Sequence, residues 1–121
     1  MVKTFLIVDD SASMRQLISC TIKNVGHNVL IAENGNDALD KLGNTKIDIV
    51  ITDLNMPDMD GIELIKKLRS MPVHKFVPIV MLTTEAQETK KQEGKQAGAS
   101  GWIMKPFSPA QLLDVIKKFV P

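Results

Sequence analysis

Asp9 and Asp10, Asp53, Thr83, and Lys105 followed by Pro106 each close a short apolar run rich in β-branched residues. Such runs read as buried parallel strands, and open α/β sheets collect their ligands outside the carboxyl ends of the strands. The spacing therefore predicts that these side chains converge on one pocket. Carboxylates gathered there repel one another, at about 4 kcal/mol per pair for charges ~4 Å apart in an effective dielectric of about 20. A cation is required, and magnesium suits the donors: it takes oxygen ligands, keeps several waters, and is held by one or two carboxylates together with substrate phosphate oxygens. Asp10 and Asp53 are expected as direct ligands, Asp9 as a ligand directly or through water, and the backbone carbonyl of Asn55 as a further oxygen. Zinc would need a paired His or Cys cluster, whereas His27 and His74 stand alone in expected turns.

The charges suggest a reaction. The carboxylates, one divalent cation and Lys105 sum to about zero, so the pocket can accept a phosphoryl group with a modest gain of negative charge. Asp53 is the candidate nucleophile, because a carboxylate can attack phosphorus to give an aspartyl-phosphate. Lys105 would stabilise the phosphoryl oxygens as a point charge, and the Thr83 hydroxyl would hydrogen-bond one of them. Taken singly, each residue has an ordinary role: a strand-end Asp caps a helix, a Thr packs, a Lys is solvated. Their joint occurrence at successive strand ends outweighs those roles. Lys105-Pro106 after a buried strand also suits a cis peptide bond at Pro106 that aims the lysine inward.

Strand-like and helix-like segments alternate along the chain, which predicts βα units around a parallel sheet. The expected strands are Phe5 to Val8, Val29 to Ala32, Ile47 to Thr52, Val77 to Thr83 and Gly101 to Met104. Between the first two, Met14, Leu17, Ile18, Thr21, Ile22 and Val25 repeat at helical spacing, with Ser11 or Ser13 as N-cap and Gly26 as stop. Cys20 falls within this helix, and we expect it as a small core residue on the apolar face. Asn36 to Leu42 and Ile62 to Arg69 make two further helices, and a last one starts at Ser108-Pro109 and buries Leu112, Leu113, Ile116 and Phe119. Glu85 to Gln96 carries no large apolar residue. It is either a solvated helix or an element of low local stability that can shift.

The chain has 121 residues, one cysteine and a formal charge of +1. That length suits one compact domain, the single cysteine excludes an internal disulfide, and a near-neutral charge offers no field for nucleic acid. The apolar start is too short for a signal peptide or membrane span, so a cytoplasmic protein without membrane contact is expected.

Four motifs in order carry a family resemblance: Val8-Asp9-Asp10-Ser11, Asp53-Leu54-Asn55-Met56-Pro57-Asp58-Met59-Asp60-Gly61, Leu82-Thr83-Thr84, and Gly98 to Phe107. Over essentially its whole length the chain resembles the receiver domains of two-component response regulators, of the free-standing, CheY-like chemotaxis type. The resemblance implies a flavodoxin-like (βα)5 fold, a doubly wound five-stranded parallel sheet in the order 2-1-3-4-5, as one receiver domain over residues 1–121 with no output domain. It implies a phosphoacceptor that assists its own phosphorylation and dephosphorylation and is not an enzyme. Asp53 then takes the phosphoryl group from a sensor histidine kinase; Asp9, Asp10, Asp53 and the Asn55 carbonyl hold Mg2+; Thr83 and Lys105 sense the phosphoryl group. Asn55 and Glu85 occupy the positions that tune hydrolysis, and Trp102 that of the switch aromatic, which turns inward when Thr83 moves. The face made by the fourth helix, last strand and last helix then changes, for a target such as the flagellar motor switch, with a phosphatase as a further partner. Relatives often place an apolar anchor in the fourth helix, where this chain has Lys90, Lys91 and Lys95. These form a solvated face or a docking patch for an acidic or amphipathic peptide.

Other readings of the same residues are a phosphorelay intermediate or phosphate sink, a haloacid-dehalogenase-like phosphohydrolase, and a flavin-binding module. The hydrolase needs a general acid two residues after its nucleophile, where Asn55 stands and cannot protonate a leaving group. The flavin module would need a phosphate-cradling loop and aromatic stacking residues, yet the chain has no tyrosine.

Overall fold

The computed structural model describes residues 2–43 and 45–120, leaving aside the side chain of Glu85. Five strands, β1 (Thr4–Val8), β2 (Asn28–Ala32), β3 (Ile49–Asp53), β4 (Ile79–Thr83) and β5 (Gly101–Met104), form one sheet in the order β2-β1-β3-β4-β5. All neighbours pair in parallel. Helices α1 (Ala12–Asn24), α2 (Gly35–Leu42), α3 (Gly61–Ser70), α4 (Glu88–Ala97) and α5 (Pro109–Lys117) make the crossovers. The expected alternation, sheet order and single-domain fold are all present.

Period-two alternation divides each central strand between two cores. Leu6, Val8, Val50, Ile79 and Met81 pack on one face against Leu64, Ile65 and Leu68 of α3 and Leu42 of α2. Phe5, Ile7, Ile49, Ile51, Val80 and Leu82 pack on the other against Ile18 and Ile22 of α1 and Leu112 and Ile116 of α5. Strands β1, β3 and β4 are thus covered on both sides, which is why they read as unbroken apolar runs. β3 and β4 start later than their apolar runs do. Ile47 and Val77 are buried, but pairing of β1 with β3 begins at Phe5 and Ile49, and Pro78, which has no N–H for the ladder, precedes β4.

Ser11, not Ser13, caps α1, its hydroxyl accepting the Met14 N–H at 3.3 Å. The buried stripe of this helix is Ile18, Ser19, Thr21 and Ile22. Cys20 is exposed, contrary to the expectation that it is a core residue. It lies about 200° around the helix from Ile18. Leu17 sits at the stripe's edge and Val25 beyond the helical turns as C-cap, so both are exposed. At α5, Leu112 and Ile116 are buried while Leu113 and Phe119 are half-buried. The polar segment divides into a 3-10 turn, Glu85–Gln87, and α4, of which Gly94 alone is buried.

His74, in the turn between α3 and β4, is 1% exposed, and neither ring nitrogen has a partner among the described residues. Burial lowers its pKa from the ordinary 6.5. The unfolded chain therefore takes up a proton below about pH 6.5 that the folded chain resists, so stability is lost as pH falls from there toward the lowered folded value. Urea midpoints measured near pH 7.5 and 5.5 should fall for the wild type and change less for His74→Phe.

Candidate functional site

The register brings the strand exits together. Val8 pairs with Thr52, Asp53 with Leu82 and Thr83 with Met104, so the residues that follow β1 and β5 leave the sheet beside Asp53 and Thr83. Asp9, Asp10 and Asp53 each present a carboxylate oxygen, and these oxygens all lie within 4.8 Å of one another. Lys105 Nζ is 3.4 Å from Asp9 Oδ2 and 3.4 Å from Asp53 Oδ1. Asp9 and Asp53 are buried, whereas Asp10 is exposed. The structure thus brings Asp9, Asp10, Asp53 and Lys105 into one pocket, with Thr83 ending the adjacent strand.

Backbone groups hold the carboxylates in place. The Ser11 N–H donates to Asp9 Oδ1 at 2.9 Å, and the Leu54 N–H donates to Asp53 Oδ1 at 2.8 Å. Arg15 Nη1 donates to the Asp9 carbonyl at 2.8 Å, tying α1 to the end of β1. The Lys105 N–H donates to the Thr83 carbonyl at 2.6 Å, and the Lys105-Pro106 peptide is cis, as its sequence context suggested. Burial raises the Asp53 pKa above the ordinary carboxylate value; Lys105 opposes this and the neighbouring Asp9 adds to it. One lysine therefore leaves the acidic cluster undercompensated. Hard oxygen donors, close spacing and surplus negative charge together fit a hard divalent cation better than a soft one.

The remaining expected site residues are more dispersed. Asn55 is exposed on the loop directly after β3. Thr83 is fully buried, and its hydroxyl has no hydrogen-bond partner among the described residues. Glu85 opens the 3-10 turn capped by Thr84, but its side chain, and with it any tuning contact, lies outside the described residues. Trp102 is 38% exposed on β5, with Lys91 Nζ 4.3 Å and Lys95 Nζ 4.0 Å from its ring centroid. Lys90 instead faces Asp60, at 3.8 Å.

Two positioning residues carry no role in the sequence argument. Arg15 is one. Gly61 is the other: it begins α3 directly after the cap residue Asp60, and a Cβ there would meet the Asp53 carbonyl and lie 3.0 Å from Leu54 Cα. The Asp60-Gly61 pair after a loop marks a helix start, but only the fold shows that the glycine backs onto Asp53.

A family model described as the response regulator receiver domain matches residues 5–117. The chain is 41% identical over 114 residues to a chemotaxis protein CheY homolog of Campylobacter jejuni, covering 93% of this chain and 88% of that protein. It is likewise 41% identical over 114 residues to the chemotaxis protein CheY1 of Helicobacter pylori, covering 93% and 92%. The structure of the chemotaxis response regulator CheY4 of Vibrio cholerae superposes with a TM-score of 0.93 at 44% identity, covering 98% of this chain and 99% of that one.

Proposed function

The chain belongs to the response regulator receiver family as a CheY-like chemotaxis receiver, a phosphoacceptor signalling protein rather than a classical enzyme, and from that premise we propose that Asp53 is the residue phosphorylated. The observation that carries this reading is the position of its carboxylate: at the end of the middle strand β3, within 4.8 Å of the Asp9 and Asp10 carboxylate oxygens and 3.4 Å from the Lys105 ammonium. A histidine kinase is the partner that a receiver implies. Asp53 attacks the phosphorus of its phosphohistidine, an O–P bond forms as the P–N bond breaks, and the imidazole leaves with the electron pair and takes up a proton. Lys105 and the Thr83 hydroxyl meet the phosphoryl oxygens, giving a partner to the buried hydroxyl, which has none among the described residues.

Asp9, Asp10, Asp53 and the Asn55 carbonyl would hold Mg2+, which when bound supplies positive charge against the carboxylates and phosphoryl oxygens. Asn55 and Glu85 tune hydrolysis, and Thr83 and Trp102 form the switch that alters the α4–β5–α5 face. The target is a chemotaxis partner such as the flagellar motor switch, with a phosphatase to end the signal. We place this chemistry in the cytoplasm; no described helix is long and apolar enough to cross a membrane. An acyl phosphate donor with magnesium tests the reading directly, since one base-labile phosphoryl adduct should form, and none without the metal.

Metal binding has its own check. A cation that binds only the folded pocket stabilises it by mass action, about 2.7 kcal/mol at 100 times the dissociation constant. Thermal melts should rise with Mg2+ concentration in the wild type. In Asp10→Asn, which removes a carboxylate from the cluster, the rise should be lost or need far more metal.

A further inference from the structure

Helix α4 is weakly anchored for an element of the output face. Gly94 is its one buried residue, set against the Met81 side chain; Ala97 packs half-buried on the core, and the other residues of the helix are polar. Its link to β5 is made by two ammonium groups one turn apart, Lys91 and Lys95, both over the ring of Trp102 at 4.3 and 4.0 Å. The Lys91 side chain is only 14% exposed, so its stem lies along the protein, and Glu88 lies 3.6 Å from its ammonium. Cations placed over an indole are attracted by the ring quadrupole, more strongly when partly desolvated. The ring is thus held outward from two positions on α4. The Thr83 hydroxyl, on the strand paired with β5, has no partner among the described residues.

We propose that Lys91 and Lys95 are positioning residues forming a two-cation latch, which holds Trp102 outward and must be overcome before phosphorylation of Asp53 changes the α4–β5–α5 face. The inference rests on the proposed roles of Asp53, Thr83 and Trp102 and adds what sets their resting equilibrium. A latch that favours the outward state lowers the affinity of the pocket for a phosphoryl group by the same factor that the phosphoryl group disfavours the latched state. Lys90 has no part in it, because it is directed at Asp60.

The test uses the intact chain with Mg2+ and beryllium fluoride as a phosphoryl mimic. Occupancy is read by fluorine NMR of the bound fluoride, and ring exposure by acrylamide quenching of Trp102, the only tryptophan. Wild-type quenching should fall when the mimic binds. In K91Q/K95Q, where glutamine keeps the helix propensity of lysine, quenching should already be low without the mimic, and half-saturation should need about three- to tenfold less mimic. K91R/K95R retains a cation over the ring and should behave as wild type, as should K90Q. K91Q and K95Q singly should each move quenching part of the way. If K91Q/K95Q matches the wild type in quenching and in mimic affinity while the fluorine signal shows a filled site, the latch is refuted and the phosphoacceptor reading stands. Absence of bound mimic in the wild type would instead overturn the phosphoacceptor reading, and the latch with it.

Discussion

Asp53→Asn, incubated with a small acyl phosphate and Mg2+, is expected to acquire no phosphoryl adduct under conditions that label one site per wild-type chain. The amide is neutral, and its oxygen is a far weaker nucleophile than a carboxylate. The loss should exceed about 100-fold in rate, a change of about 2.7 kcal/mol in barrier. Asp9 and Asp10 remain in the variant and are not expected to substitute. Asp9 is only 1% exposed against 7% for Asp53, so a donor reaches it less readily, and Asp10 is exposed to solvent and lacks an ion pair with Lys105 among the described residues. The same variant makes a second, opposite prediction about stability. Because burial and Asp9 together raise the Asp53 pKa, the folded state disfavours the charged form, so a neutral isostere should melt a few degrees higher in the absence of metal; about 1 kcal/mol shifts the midpoint of a domain this size by ~4 °C. A carboxylate present only to support the fold would lower the melting point when removed.

Gly61→Ala is expected to destabilise the fold by about 2–3 kcal/mol and to slow phosphoacceptance well below the melting temperature. The added methyl would meet the Asp53 carbonyl and come within 3.0 Å of Leu54 Cα. Both obstacles are backbone, and overpacking against groups that cannot change rotamer forces the chain to shift. The shift falls on the peptide that carries the nucleophile and on the Leu54 N–H that holds Asp53 Oδ1. The Gly61 N–H, which donates to the Leu54 carbonyl at 3.0 Å, would move with it. Gly43→Ala is the contrasting control: its φ of +49° disfavours a side chain, but among the described residues nothing lies within 4 Å of an added Cβ. It should cost about 1–2 kcal/mol through backbone strain and leave the adduct rate unchanged. Denaturant midpoints and adduct rates for the two variants separate a clash behind Asp53 from a general loss of stability.

Much of the pocket was legible because its residues terminate strands, and strand ends are among the features a sequence states most plainly. Val8, Thr52 and Leu82 belong to β-branched or leucine-rich runs buried on both sides, so the polar residue that breaks each run marks where the chain leaves the sheet. Cys20 was misjudged because helical periodicity defines a stripe but not its centre. The turns of α1 put Ile18 and Ile22 on the sheet and leave Cys20 opposite them. Contacts between elements left less trace. Nothing in a run of Lys, Glu and Gln indicates that Lys91 and Lys95 will share one ring while Lys90 turns to Asp60. The packing of Gly61 against Asp53 likewise exists only once α3 has docked, and Arg15 finds the Asp9 carbonyl only because Ser11 starts α1 at that angle.

If phosphorus is captured by the Asp53 carboxylate, chemical trapping will mark that residue. Borohydride reduces an acyl phosphate to the alcohol, so an aspartyl-phosphate becomes homoserine at the residue that carried it. After labelling with an acyl phosphate and Mg2+, reduction and peptide mass mapping should place homoserine at position 53 and nowhere else. Homoserine at position 9 or 10, or phosphate retained on a lysine or histidine with Asp53 intact, would contradict capture by Asp53.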